Sequence, residues 1–242
     1  MTDAAKDLPF RLAYVPGVTP TKWVRVWNER IDTRLELISV PADDAADFVR
    51  AGQADVSLLR LPIDRTDLSA IPLYTEVSVV VVPKDHVYCA ADQILVADLA
   101  GEIVLDPLDN PLHWPSPPGE RAAERPASTA DAIELVAAGV GVVVVPQSLA
   151  RLHHRKDLTY RPVTDAPESR IALAWREDHT TELVEEFIGI VRGRTANSSR
   201  GRTQSPAEKK PARKPAKAPR PAKARSTTRR GGPSRRGRGR RP

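Results

Sequence analysis

The sequence predicts an α/β domain made of two sub-domains, followed by a basic tail that we expect to be disordered. Strand and helix patterns alternate through the first sixty residues, which favours a parallel, doubly wound sheet. An apolar run over residues 73–82 is long for a small sheet and indicates a strand that passes between sub-domains. The 242-residue chain has a net charge of +6, but residues 200–242 carry +16 and residues 1–199 carry −10.

The first predicted strand and helix are recognised from the residues at their ends. Residues 10–15 are mostly apolar and are followed by Pro-Gly, which predicts a strand and a turn. A helix should then begin with Thr19 as its N-cap and Pro20 in its first helical position. Trp23 and Trp27 lie one turn apart and give this helix an apolar face.

Two further strands enclose a second helix. Residues 35–39 alternate apolar and polar side chains, as a half-buried strand does. Asp43 or Asp44 should begin a short helix that ends at Gly52. Residues 55–61 form the third predicted strand.

The second half of the sequence begins with a Pro-rich loop over residues 105–126. Ser128 or Thr129 should cap a helix that ends at Gly139, and residues 140–145 read as a buried strand.

Two strands and a helix complete the predicted domain. Residues 158–163 and 170–175 have strand composition, and Thr180 or Thr181 should cap an amphipathic helix after them.

The segment STADAIELVAAGVGVVVVPQS, residues 128–148, resembles the effector-domain signature of LysR-type transcriptional regulators. Four other segments resemble the same family in order and spacing: LAYVPG at 12–17, GQADVSL at 52–58, the apolar strand at 76–83 followed by Asp85-His86, and DLAGE at 98–102.

This resemblance implies a two-lobed, type II periplasmic-binding-protein-like fold over residues 9–192. Residues 9–80 and 163–192 would form lobe I and residues 84–158 would form lobe II, with a ligand cleft between them. Residues 193–242 would be the disordered tail rich in Lys, Arg, Pro and Ala.

The resemblance also assigns a set of effector-binding residues to that cleft. A helix N-terminus near Thr19 suits an anion, and Arg60 lies at a strand end, where ligands collect in α/β sheets. A surface cation and ordinary helix caps remain the alternatives for these side chains. The predicted effector-binding residues are Thr19, Pro20, Thr21, Arg60, Pro62, Pro83, Ser128 and Thr129. The effector is a small molecule, with a carboxylate as one candidate.

The tail resembles the Lys/Ala/Pro tails of linker histones and Arg/Gly-rich nucleic-acid-binding tails. Its spaced cations suit a phosphate backbone, so we predict electrostatic, sequence-independent binding to DNA or RNA. The predicted nucleic-acid-binding residues are Lys209, Lys210, Arg213, Lys214, Lys217, Arg220, Lys223, Arg225, Arg229, Arg230, Arg235, Arg236, Arg238, Arg240 and Arg241.

The chain departs from LysR-type regulators at its start. These regulators carry an N-terminal helix-turn-helix, whereas about eight residues precede the first predicted strand here, so we expect that module to be absent. The resemblance implies an antiparallel homodimer, in which the helix at 20–30 and the strand at 34–40 face the partner's helix near 130–138.

The sequence gives little evidence for a disulfide-bonded, metal-binding, enzymatic or membrane protein. The single cysteine, Cys89, allows no internal disulfide, and the five histidines lack the paired spacing of a metal site. We expect no cofactor and no enzymatic activity, because no nucleophile, base and oxyanion hole come together in the sequence. No apolar run is long enough for a membrane span and no export signal is visible, so a cytoplasmic protein is expected, with nucleoid association as one option.

The leading interpretation is a LysR-family-like regulatory protein that binds a small effector and contacts nucleic acid through its tail. The alternative is a nucleoid or chromatin-type DNA-binding protein whose globular lobes only dimerise. An enzyme or transport receptor on the same fold is the third reading.

Overall fold

The computed structural model describes residues 8–194, which form ten strands and five α-helices. All of the predicted nucleic-acid-binding residues lie outside these described residues. In chain order the elements are β1 (Phe10–Tyr14), α1 (Thr21–Arg30), β2 (Leu35–Ser39), α2 (Ala45–Arg50), β3 (Val56–Leu61), β4 (Leu68–Glu76), β5 (Ser78–Pro83), β6 (Ile103–Leu105), β7 (Glu120–Arg121), α3 (Thr129–Ala137), β8 (Val142–Pro146), α4 (Gln147–Leu152), β9 (Leu158–Pro162), β10 (Ser169–Arg176) and α5 (Glu182–Val191). Within residues 8–194, no helix is long and apolar enough to cross a membrane.

The strands form two five-stranded mixed sheets. The first sheet has the order β2-β1-β3-β10-β4, in which β1, β2 and β3 are parallel and β10 is antiparallel to both β3 and β4. The second sheet has the order β7-β6-β8-β5-β9, with β5 antiparallel to β8 and β9. We call the first sheet with α1, α2 and α5 the first lobe, and the second sheet with α3 and α4 the second lobe. The predicted two-lobed α/β fold is confirmed, and the parallel pairing is limited to part of each sheet.

The apolar run at residues 73–82 is two strands rather than one. β4 pairs with β10 in the first sheet, whereas β5 pairs with β8 and β9 in the second sheet. Val77, which is half exposed, separates them and marks the point where the chain changes lobe. The predicted lobe boundary at residue 80 therefore falls inside β5, because every paired residue of that strand belongs to the second sheet.

The core of the first lobe is built around three aromatic rings. Phe10 stacks on Trp27 with ring centroids 4.5 Å apart, and Phe187 lies within 6 Å of both. Trp27 is fully buried, and its indole N–H donates to the carbonyl of Thr33 at 2.7 Å. Trp23 is buried in the same cluster, so the apolar face of α1 packs inward as its spacing predicts.

The second sheet is buried on both faces, which explains its continuous runs of valine. Val79 and Val81 of β5 face α3, together with alternate residues of β8. Val80 and Val82 face the opposite cluster, which contains Leu99. The two-residue period of a strand divides the run between two apolar clusters.

Candidate ligand-binding cleft

A cavity of about 800 Å³ lies between the two lobes. The parallel strands β1, β2 and β3 all end at this cavity, which is where open α/β sheets bind ligands. The first lobe lines it with Tyr14, Pro16, Gly17, Val18, Thr19, Ser39, Val40, Pro41, Ala42 and Arg60; the second lobe lines it with Asp109, Pro111, Ser128, Thr129, Ala130, Ser148, Leu149, Arg151, Leu152 and His153. This volume is suitable for a small organic molecule.

Four of the predicted effector-binding residues, Thr19, Arg60, Ser128 and Thr129, line the cavity. The other four predicted residues do not line it. Pro20 is buried at the start of α1, and Thr21 is exposed on that helix. Pro62 follows the end of β3, beyond Arg60. Pro83 pairs with Leu158 at the far end of β5, about 16 Å along the strand from the crossing point.

Thr19 does not cap α1, contrary to the sequence prediction. The helix begins at Thr21, and the residue before it is Pro20, which has helical dihedral angles and offers no side-chain cap. The N–H groups of Trp23 and Val24 both donate to the carbonyl of Pro20. The hydroxyl of Thr19 therefore stands exposed at the cavity wall instead of serving the helix.

Arg60 is neither a surface cation nor a free one, because its guanidinium is buried in a network of partners. Its Nη2 donates to Glu76 Oε2 at 3.1 Å and to Ser148 Oγ at 3.2 Å. Its Nη1 donates to the carbonyl of Pro16 at 2.9 Å, and its Nε donates to Ser169 Oγ at 3.2 Å. Four of the five N–H groups of this side chain are thus already engaged.

Glu76, which sequence reasoning missed, is the acidic partner in this network. Its side chain and that of Arg60 are each 5% exposed, and Ser169 Oγ donates to its Oε2 at 3.0 Å. Burial raises the pKa of the neighbouring Tyr74 phenol, and the negative charge of Glu76 adds to the rise. The sequence feature that could have identified Glu76 is its position as a lone acid inside the long apolar run at residues 73–82.

Ser148 brings the second lobe into contact with the first beside Arg60, at the wall of the cavity. It lies on α4 and accepts a hydrogen bond from Arg60 of β3. Gly17, on the loop after β1, has a φ of +85°, and a Cβ there would lie 2.6 Å from Ser148 Oγ. Glycine is therefore required where this loop approaches α4.

The start of α3 forms the opposite wall and already holds a carboxylate. Ser128 caps the helix as predicted: its Oγ accepts from the N–H of Asp131 at 3.1 Å. Thr129 is 1% exposed, and its N–H and Oγ1 both donate to Asp109 Oδ1, at 2.6 and 2.8 Å. Asp109 was not singled out from the sequence, because it lies in the Pro-rich loop twenty residues away.

A second cavity, of about 680 Å³, lies along the Pro-rich segment between β6 and α3. Trp114, Arg121 and Arg125 are among its lining residues. None of the eight predicted effector-binding residues contributes to it.

Comparison with protein families matches residues 26–196 to the model of the LysR substrate binding domain. The chain belongs to this family. Among curated relatives, the Hca operon transcriptional activator HcaR of Escherichia coli K12 is 26% identical over 177 residues, which cover 69% of this chain and 60% of HcaR. A probable hydrogen peroxide-inducible genes activator of Mycobacterium avium is 28% identical over 189 residues, covering 73% of this chain and 61% of that protein. The chain thus spans about 60% of the length of these relatives.

Solved structures agree with this LysR-family fold. The oxidized form of OxyR superimposes with a TM-score of 0.63 at 21% sequence identity, and the match covers 78% of this chain and 96% of that chain. At this level of sequence identity, the match shows that the two chains share a fold.

Proposed function

We propose that this chain is the effector-binding part of a LysR-type transcriptional regulator, acting in the cytoplasm, and that a small molecule binds between its lobes. The observation that carries the proposal is the cavity of about 800 Å³, whose walls come from both lobes. A ligand that contacts both walls stabilises the arrangement in which they face each other, and so shifts the population of that conformation. The open cavity favours this function over lobes that only dimerise.

A thermal-shift screen of small metabolites on the full-length chain tests effector binding. A ligand at about 100 times its Kd stabilises the native state by about 2.7 kcal/mol, which for a chain of this size is roughly 5–10 °C in Tm. Ala130→Phe, on the cavity wall, should abolish the shift because the larger ring fills the cavity. Ala91→Phe, at an exposed position outside the cavity and outside the proposed dimer faces, is the matched control and should keep it. A shift of equal size in both variants would place the ligand elsewhere.

We further propose that the chain forms a homodimer through the faces that the family resemblance implies. Exposed apolar side chains support this arrangement on both faces: Leu37 on the edge strand β2, and Leu135 on α3. A contact through these faces would bury both side chains. Sedimentation of the full-length chain should give a dimer, and Leu37→Asp should give a monomer, whereas Val87→Asp, an exposed position on a 3₁₀ turn, should remain dimeric. A dimer that tolerates Leu37→Asp contradicts this interface.

Nucleic-acid contact is proposed for the tail on the strength of its charge. Residues 200–242 carry +16, and two tails in a dimer increase avidity. If about eight phosphates are neutralised, affinity for duplex DNA should fall about 10⁴-fold between 50 and 200 mM salt. Replacing the fifteen predicted binding cations by Gln should abolish binding, and shuffling the tail at constant composition should leave it unchanged. Binding that survives the Gln replacement would locate the contact in the acidic remainder of the chain.

A further inference from the structure

We infer that the effector of this cleft is an uncharged, largely apolar molecule, and that carboxylates are excluded. This inference rests on the proposed effector-binding function and specifies the ligand class. It follows from the state of the two buried donor groups that line the cavity, Arg60 and Thr129.

The positive charge of the first donor, Arg60, is already compensated by an acidic partner. Its guanidinium is paired with the Glu76 carboxylate at 3.1 Å, and three neutral oxygens take further N–H groups. A ligand carboxylate at this end would have to displace Glu76 or share the cation with it. Both arrangements leave a buried negative charge without a full partner, which is strongly unfavourable.

The second buried donor, Thr129 in the first turn of α3, is occupied in the same way. Both donors of Thr129 converge on Oδ1 of Asp109, within 2.8 Å. The Asp109 side chain therefore holds the position that an anionic ligand would take at this helix N-terminus. A second carboxylate beside it would meet a like charge.

The remaining lining suits a neutral molecule. Tyr14, Val18, Pro41, Leu149 and Leu152 supply apolar surface, and the Thr19 hydroxyl supplies a hydrogen bond for a carbonyl or hydroxyl oxygen. Arg151 is the other arginine of the lining, but it is exposed, and its Nε donates to the Tyr160 hydroxyl at 3.2 Å. Because solvent and salt screen an exposed cation, Arg151 compensates little of the cost of burying a carboxylate.

An isosteric pair of probes tests this inference on the full-length chain. 3-Phenylpropanamide and 3-phenylpropanoate have the same shape and differ in charge. Ligands of this size bind in the millimolar range, so both are titrated to ~10 mM by thermal shift and calorimetry. The amide should bind at least about tenfold more tightly than the carboxylate, a ratio that corresponds to one unit of log K.

Two variants should reduce this preference. Glu76→Gln and Asp109→Asn each keep an oxygen acceptor for the existing donors and remove one negative charge. Glu76→Gln should raise carboxylate affinity by about tenfold or more, whereas Asp109→Asn should raise it by about threefold because the exposed charge of Asp109 is screened by solvent; the amide should change little in both. Glu182→Gln, on the exposed first turn of α5, is the matched control and should change neither affinity. Asp109 is exposed, so Asp109→Asn keeps the test valid if Glu76→Gln fails to fold.

The outcomes separate the ligand class from the function. If the wild-type chain binds the carboxylate as tightly as the amide, the inference is wrong and the effector-binding function stands. The same conclusion follows if neither variant gains affinity for the carboxylate. If neither probe binds the wild-type chain or any variant, the inference is overturned, and the effector-binding function is then decided by the metabolite screen alone.

Discussion

The buried pair between Arg60 and Glu76 gives a stability prediction that the sequence alone does not contain. We consider Arg60→Met, which keeps the length of the side chain and removes its charge and its donors. Glu76 then stays buried at the end of β4, with the Ser169 hydroxyl as its remaining partner among the contacts described above. Removing one member of a buried ion pair costs about 3–5 kcal/mol, chiefly because the other charge is left without compensation.

The size of this effect is large relative to the whole domain. Domains typically unfold with a free energy of about 5–15 kcal/mol, so Arg60→Met should remove about a fifth or more of the stability. The double variant Arg60→Met/Glu76→Met leaves no buried charge and should be more stable than Arg60→Met alone, within about 2 kcal/mol of the wild type. The two substitutions are therefore expected to be strongly non-additive.

Urea unfolding of the full-length chain, followed by circular dichroism, measures these free energies. The control is Arg25→Met, which removes one member of the exposed Arg25–Glu29 pair on α1 and should cost less than about 1 kcal/mol. An Arg60→Met variant as stable as Arg25→Met would refute the argument. A double variant whose loss equals the sum of the single losses would refute it equally.

Four further predictions concern single positions. Gly17→Ala should lower the free energy of unfolding by about 1–3 kcal/mol, because φ is +85° and the new Cβ would lie 2.6 Å from Ser148 Oγ. Trp27→Ala should cost about 3–5 kcal/mol in the same assay and reduce the near-ultraviolet dichroism, because the ring is fully buried. Ser57→Ala should be neutral or stabilise by up to about 1 kcal/mol, because its buried Oγ has no hydrogen-bond partner among the described residues. Burial raises the pKa of Tyr88 to about 12. The protonated phenol therefore contributes fully to the free energy of unfolding below pH ~10, and this contribution is lost as the pH rises towards 12. Tyr88→Phe should remove that part of the pH dependence of unfolding.

Elements with strong local signals were predictable from the sequence. Ser128 caps α3 and Thr181 caps α5 through their hydroxyl oxygens, and Gly52 and Gly139 adopt the positive φ expected after a helix. These features depend on a side chain and its neighbours three or four residues away. The caps of α3 and α5 and the two-residue period of the buried strands therefore agree with the structure, whereas the predicted Thr19 cap of α1 does not.

Elements decided by distant partners were not predictable in the same way. The run at residues 73–82 is apolar and β-branched on both sides of Val77, and its division depends on β10 in one sheet and β8 and β9 in the other. The two-residue strand β7 lies in a segment that composition assigns to a loop, and it exists because it pairs with β6. Local propensity contains no information about either pairing.

The cleft shows the same limit in its chemistry. The sequence located Arg60 correctly at a strand end, but the charge that a ligand meets depends on Glu76, sixteen residues away, and on Ser169, more than a hundred residues away. A count of cations near a predicted cleft therefore overstates its affinity for anions whenever an acid lies within reach of the same cation. An acid inside an otherwise apolar strand is the available warning, since burying that acid requires a partner. When the cation at the end of a neighbouring strand is that partner, the acid compensates the charge of the cation that lines the cleft. The ligand is then bound by the apolar surface and the uncharged donors that remain.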